Sequence, residues 1–161
     1  MTVMLPDPAT APELFESVLT RRIIAFCIDL VVLAVIVAIA AFLTIFIGIF
    51  TLGLGFLATP VILLLSVVFY YGVTLGSPRR ATIGMQVMDI VLTPTRDLPL
   101  DGWRAFAHPF IFWMTSWVLP PFSLLLALFT PRRQLLHDLI LGTLMVRRSP
   151  MERHWRHHQI A

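Results

Sequence analysis

Between Arg22 and Arg79 the chain carries a single charged residue, Asp29. No other feature restricts the fold as strongly. About 20 consecutive apolar residues are enough for a helix to cross a bilayer. The run from Ile23 to Leu75 holds two such stretches, parted by Gly48, Thr51, Gly53 and Gly55, which read as a tight reversal. The first stretch, Ile23 to Phe50, is rich in Val and Ile and would suit a strand in water. In lipid the backbone must satisfy its own hydrogen bonds, and a helix does so. The second runs from about Phe56 to Leu75, with Pro60 in its first turn, where the missing N–H costs little. Tyr70 and Tyr71 end it at the interface. A carboxylate at the centre of a span costs on the order of 3 kcal/mol. Asp29 therefore calls for a cation, a set of donors or a proton.

Composition agrees. With 58% hydrophobic and 13% charged residues the chain is excluded from the ordinary soluble class, and 161 residues are enough for one domain. All twelve basic residues are arginine, and they flank the apolar runs, so they read as topology determinants and lipid-phosphate contacts rather than a nucleic-acid surface. Cys27 is the only cysteine and reads as packing. Residues 1–12 contain three prolines and no basic residue, unlike the n-region of a cleavable signal. They read as a tail that leads into a short interfacial helix over Pro12–Thr20.

Beyond the second span, Thr82–Leu92 alternates well enough for a short strand, and Thr143–Val146 reads as an extended segment able to pair with residues 85–92. The third apolar stretch, Ala105–Phe129, has Pro120 and Pro121 near its middle. As one kinked crossing it would leave six arginines on each side. As a re-entrant hairpin turning at the prolines it keeps all twelve cytoplasmic, in line with the positive-inside rule. The hairpin is preferred, with the kinked span as the alternative. Arg132–Gly142 reads as a short helix at the cytoplasmic interface that Gly142 terminates. The expected architecture is all-α and integral to the membrane. It has two full transmembrane helices, a proline-broken third segment and a short two-stranded β element on the cytoplasmic side. Residues 1–17 form the tail and interfacial helix, 18–148 a single membrane domain, and 149–161 a basic, His-rich tail.

Three motifs match one pattern. They are Arg22-x-x-Ala25-x-x-x-Asp29, Thr82-x-Gly84, and Arg133-Gln-Leu-Leu-His137-Asp138-x-x-x-Gly142-Thr143. In these the chain resembles the RDD family of small membrane proteins, over about residues 18–148. Position by position, Arg22 matches the family arginine, Asp29 the first aspartate and Asp138 the second. The family usually has a lysine after the glycine of its middle motif; Met85 stands there, so no role of that lysine carries over. The resemblance implies transport, with some members described as cation/proton antiporters.

The residues themselves admit two readings. Arg22 and Asp29 share a helix face but lie about 10 Å apart along the axis, too far for contact. Expected partners for Asp29 are Arg133, His137 or backbone N–H groups around Gly142 and Thr143, while Arg22 holds Asp138. In the structural reading these crossed contacts staple the Arg133–Thr143 segment to the first span, with Thr82 and Gly84 in support. In the functional one, Asp29 is a proton or cation site that opens during transport.

Other candidates carry less. His154, His157 and His158 could share a helix face, but a terminal tail without Cys or acidic support reads as headgroup-touching, not metal-binding. His108 reads as a buried or interfacial imidazole, with proton relay as the second reading. The tryptophans read as interface anchors. No metal site, cofactor or enzymatic constellation is expected. The expected function is a small transporter of the RDD type, working as an oligomer in a bacterial inner membrane with both termini cytoplasmic. The alternative is an accessory or scaffold subunit of a larger membrane complex.

Overall fold

The computed structural model describes residues 7–94, 102–118 and 126–159, and these are mostly helical. Helix α1 (Val18–Phe50) has 33 residues, about 50 Å of rise. It starts earlier than expected, so Arg21 and Arg22 sit inside its first turns. The stretch before it is one 3₁₀ turn (Pro12–Leu14) rather than a longer interfacial helix, because Ser17 takes a left-handed backbone with φ of 55°. The reversal after α1 falls where the glycines placed it, with Gly53 at φ 94° followed by a 3₁₀ turn. Helix α2 (Thr59–Leu75) then returns alongside α1, with Pro60 in its first turn. The two segments Pro12–Phe50 and Leu54–Leu75 are both long and apolar enough to cross a membrane.

The expected strand over Thr82–Leu92 is corrected in its first half. Ile83–Val87 is a short helix, α3, and only Ile90–Pro94 is the strand β1. Five residues hold too few hydrogen bonds to be stable alone. Helix α3 persists because α1 holds it at both ends. The carboxylate of Asp29 accepts from the Gly84 N–H at its N-terminus, and Arg21 Nη1 donates to the Met88 carbonyl at its C-terminus (2.8 Å). Both charges complement the helix dipole.

Strand β1 pairs antiparallel with β2 (Thr143–Arg147), from Ile90 opposite Arg147 to Pro94 opposite Thr143. This is the expected two-stranded element, shifted toward the end of the 85–92 window. Successive residues of a strand face opposite ways, and both faces here are covered. Ile90 and Leu92 join Leu33, Tyr70, Leu75 and Met85 in one core cluster, while Val91 joins Leu14, Leu144, Val146 and Met151 in another.

Helix α4 (Gly102–Val118) packs on α1 through Phe112 and Trp113 against Phe26. The turn at Pro120–Pro121, on which hairpin and kinked crossing differ, lies outside the described residues. The expected helix over Arg132–Gly142 is confined to α5 (Leu136–Leu141), and Gly142 ends it in the left-handed conformation at φ 62°. Residues 148–159 form a helix, α6, anchored where Asp89 Oδ1 accepts from the Ser149 N–H (3.0 Å) and hydroxyl (2.6 Å).

Candidate functional site

Asp29 and Asp138 define two buried polar nodes along the start of α1, one at Asp29 itself and one where Arg22 meets Asp138. At the first, Asp29 is 6% exposed and receives three donors. The Tyr70 hydroxyl donates to Oδ1 and the Thr82 hydroxyl to Oδ2, both at 2.5 Å, and the Gly84 N–H donates to Oδ1 at 2.8 Å. Each hydroxyl oxygen in turn accepts from α3, from the Ile83 N–H at Tyr70 (3.3 Å) and from the Met85 N–H at Thr82 (3.2 Å). One carboxylate thus engages three successive amides, directly or through a hydroxyl. Gly84 has to be glycine for this. A Cβ there would run into the Ala25 carbonyl oxygen and stand 2.9 Å from the Asp29 carboxyl carbon.

This overturns the expected partners of Asp29. Arg133 is solvent-exposed in a turn with φ of 53°, and His137, Gly142 and Thr143 belong to the other node. Neutral donors answer the carboxylate because Thr82 and Gly84 arrive with α3, and they supply hydrogen bonds without a second buried charge to desolvate. Tyr70 is the residue that sequence reading missed. An aromatic at the end of an apolar run reads as an interface anchor, and nothing in its spacing reveals that its hydroxyl turns inward.

We expect Tyr70→Phe to cost about 1.5–3 kcal/mol, since it removes a hydrogen bond to a charged group and leaves the Ile83 N–H unpaired. Unfolding of the purified protein in detergent measures this. A variant as stable as the parent would show that the bond contributes nothing.

At the second node Arg22 Nη1 donates to Asp138 Oδ2 at 2.6 Å, the pairing the sequence predicts, and both residues are buried. The Leu135 N–H also donates to Oδ2 (3.1 Å), so Asp138 both caps α5 and ties it to α1. Oδ1 faces the Thr143 hydroxyl (3.5 Å), His137 Nε2 (3.4 Å) and His108 Nε2 (3.8 Å). The two imidazoles meet edge to face at 4.8 Å. Burial favours protonation of Asp138, but the Arg22 guanidinium, the two neighbouring imidazoles and the Leu135 N–H together outweigh it and hold the carboxyl below its ordinary value. Burial pushes the His137 imidazole below its ordinary value against the pull of Asp138, so that ring is neutral.

Some polar atoms here have no hydrogen-bond partner among the described residues: Arg22 Nε and Nη2, and His137 Nδ1. A cavity of about 90 Å³ lies between the nodes, its wall including Asp29 and Thr82 from one and Arg22, His108 and His137 from the other.

Two apolar helices of membrane-crossing length, with a polar connector and a short helix clipped to the first by buried arginine–aspartate and aspartate–donor contacts, point to a membrane protein. The chain belongs to the RDD family, whose model matches residues 17–142. That span includes both nodes except Thr143, which falls one residue beyond it. No curated protein and no solved structure matches the chain.

Proposed function

We propose that the protein is a non-enzymatic membrane transporter of a proton or small monovalent cation, working as an oligomer, with Asp29 as its intramembrane charge site. The observation that carries the reading is the cavity between the nodes, which places space for a small polar species against a buried carboxylate. Membership in the RDD family supports it. Two spans cannot enclose a solute path, so the pathway needs several protomers. The apolar side chains left exposed along both helices, among them Val35, Phe42 and Phe46 on α1 and Leu64 and Phe69 on α2, supply faces for lipid and for neighbouring copies. The arginines flanking the apolar runs support a bacterial inner-membrane location with both termini cytoplasmic.

Reconstitution in liposomes tests the proposal. The parent should dissipate an imposed proton or monovalent-cation gradient, and Asp29→Asn should reduce that flux to the level of empty vesicles while remaining monodisperse. A parent that moves neither ion removes the transport reading.

One observation favours a second reading, that of an accessory subunit. Asp29 already has a full set of donors, as a purely structural carboxylate does. Co-purification with a larger membrane complex, together with absent flux, would establish that role.

A further inference from the structure

We infer that His108, His137 and Asp138 form a binding site for a divalent transition-metal ion of the zinc type. The inference is independent of whether the protein transports anything. The three residues are fully buried, and one ligand atom from each lies within 4.8 Å of the others. A tetrahedral ion with bonds of about 2.0–2.1 Å sets its ligand atoms about 3.3 Å apart. His137 Nε2 and Asp138 Oδ1 already stand 3.4 Å apart, and His108 Nε2 lies 3.8 Å from the same oxygen. These separations are long for hydrogen bonds and close to the edges of a coordination tetrahedron. The widest separation in the set is within 4.8 Å, so the two imidazoles must draw together by up to about 1.5 Å to complete the three-ligand set.

The surroundings orient the ligands. Asp138 Oδ2 is held by Arg22 and the Leu135 N–H, which leaves Oδ1 to act as a monodentate ligand. The Thr143 hydroxyl stands 3.4 Å from His108 Nδ1, so it can fix that ring with Nε2 directed at the ion, as outer-shell partners of metal-bound histidines do.

Among the described residues, the charged side chains of the cavity wall are Arg22 and Asp29, and Asp138, the carboxylate of the site, is paired with Arg22. The cavity adjoins both histidines and offers the fourth position to water or a small ligand. Imidazole with carboxylate suits zinc and its first-row neighbours rather than magnesium or calcium. The ion would clasp α4 to α5, joining two segments far apart in sequence.

Cobalt(II) titration of the chelator-stripped, detergent-solubilised full chain tests the site. We expect one equivalent to bind with the intense visible absorption of a four-coordinate ion, and zinc to displace it. His108→Gln and His137→Gln should each abolish the absorption, and Thr143→Val should weaken binding about ten- to a hundredfold. A variant with His154, His157 and His158 all changed to Gln should bind as the parent does. Loss of the signal in that tail variant, or its survival in both buried-histidine variants, overturns the site. A measurement on the parent alone guards against misfolded variants: zinc should raise its melting temperature and saturate at one equivalent. An unchanged melting temperature overturns the site as well.

Discussion

Replacing Arg22 by Met should destabilise the protein by about 3–5 kcal/mol, because the change leaves the Asp138 carboxylate buried without its cation. Asp138 is fully buried, and of its remaining contacts only the Leu135 N–H, at 3.1 Å, is a short one. Neither histidine can take over as a strong counter-ion while neutral, and His137 is held neutral by its burial. The cost therefore comes from an orphaned charge more than from the bond itself, and that distinction is testable. Asp138→Leu added to Arg22→Met removes the orphan and should recover much of the loss. A double-mutant cycle of unfolding in detergent measures it. If the double variant is as unstable as the sum of the single changes, the pair is not coupled, and the 2.6 Å contact between α1 and α5 is not what holds them.

Gly84→Ala is the second large effect. The added Cβ meets the backbone carbonyl of Ala25, which lies two turns into α1 and has no rotamer to escape into. Helix α3 must move outward, and the Gly84 N–H then loses Asp29. Overpacking costs about 1–3 kcal/mol, and a lost hydrogen bond to a buried charge about 1.5–3. The combined loss should be about 3 kcal/mol or more. Gly72 is the internal control. It lies within α2, and nothing stands within 4 Å of where its Cβ would be, so Gly72→Ala should cost no stability. Equal behaviour of the two alanine variants would show that the close approach of α3 to α1 is not a stability determinant.

Both predictions concern contacts only partly legible in the residues. The pairing of Arg22 with Asp138 is legible because a buried charge needs an opposite one, and few charges border the first span. The partners of Asp29 are not. Reasoning from charge looks for an arginine or histidine and finds Arg133 and His137, whereas the fold answers with a tyrosine hydroxyl, a threonine hydroxyl and an amide. Helix α3 is obscured for a related reason. Its alternation reads as strand, and the forces that make it helical are Asp29 and Arg21, more than fifty residues away along the chain. His108 carries no signal of its connection to His137 because no local spacing links α4 to α5.

The sequence by itself determined the two long apolar helices, the glycine reversal between them, the stop at Gly142 and the family. Hydropathy, backbone satisfaction and turn preference act over a few residues and need no knowledge of the fold. Tertiary structure alone decided which donors surround Asp29, that a five-residue helix forms between α2 and β1, and that two histidines and an aspartate converge beside Arg22. Those outcomes depend on the directions of hydrogen bonds and on approaches of a few tenths of an ångström between distant segments. Such quantities exist only once the chain has closed on itself.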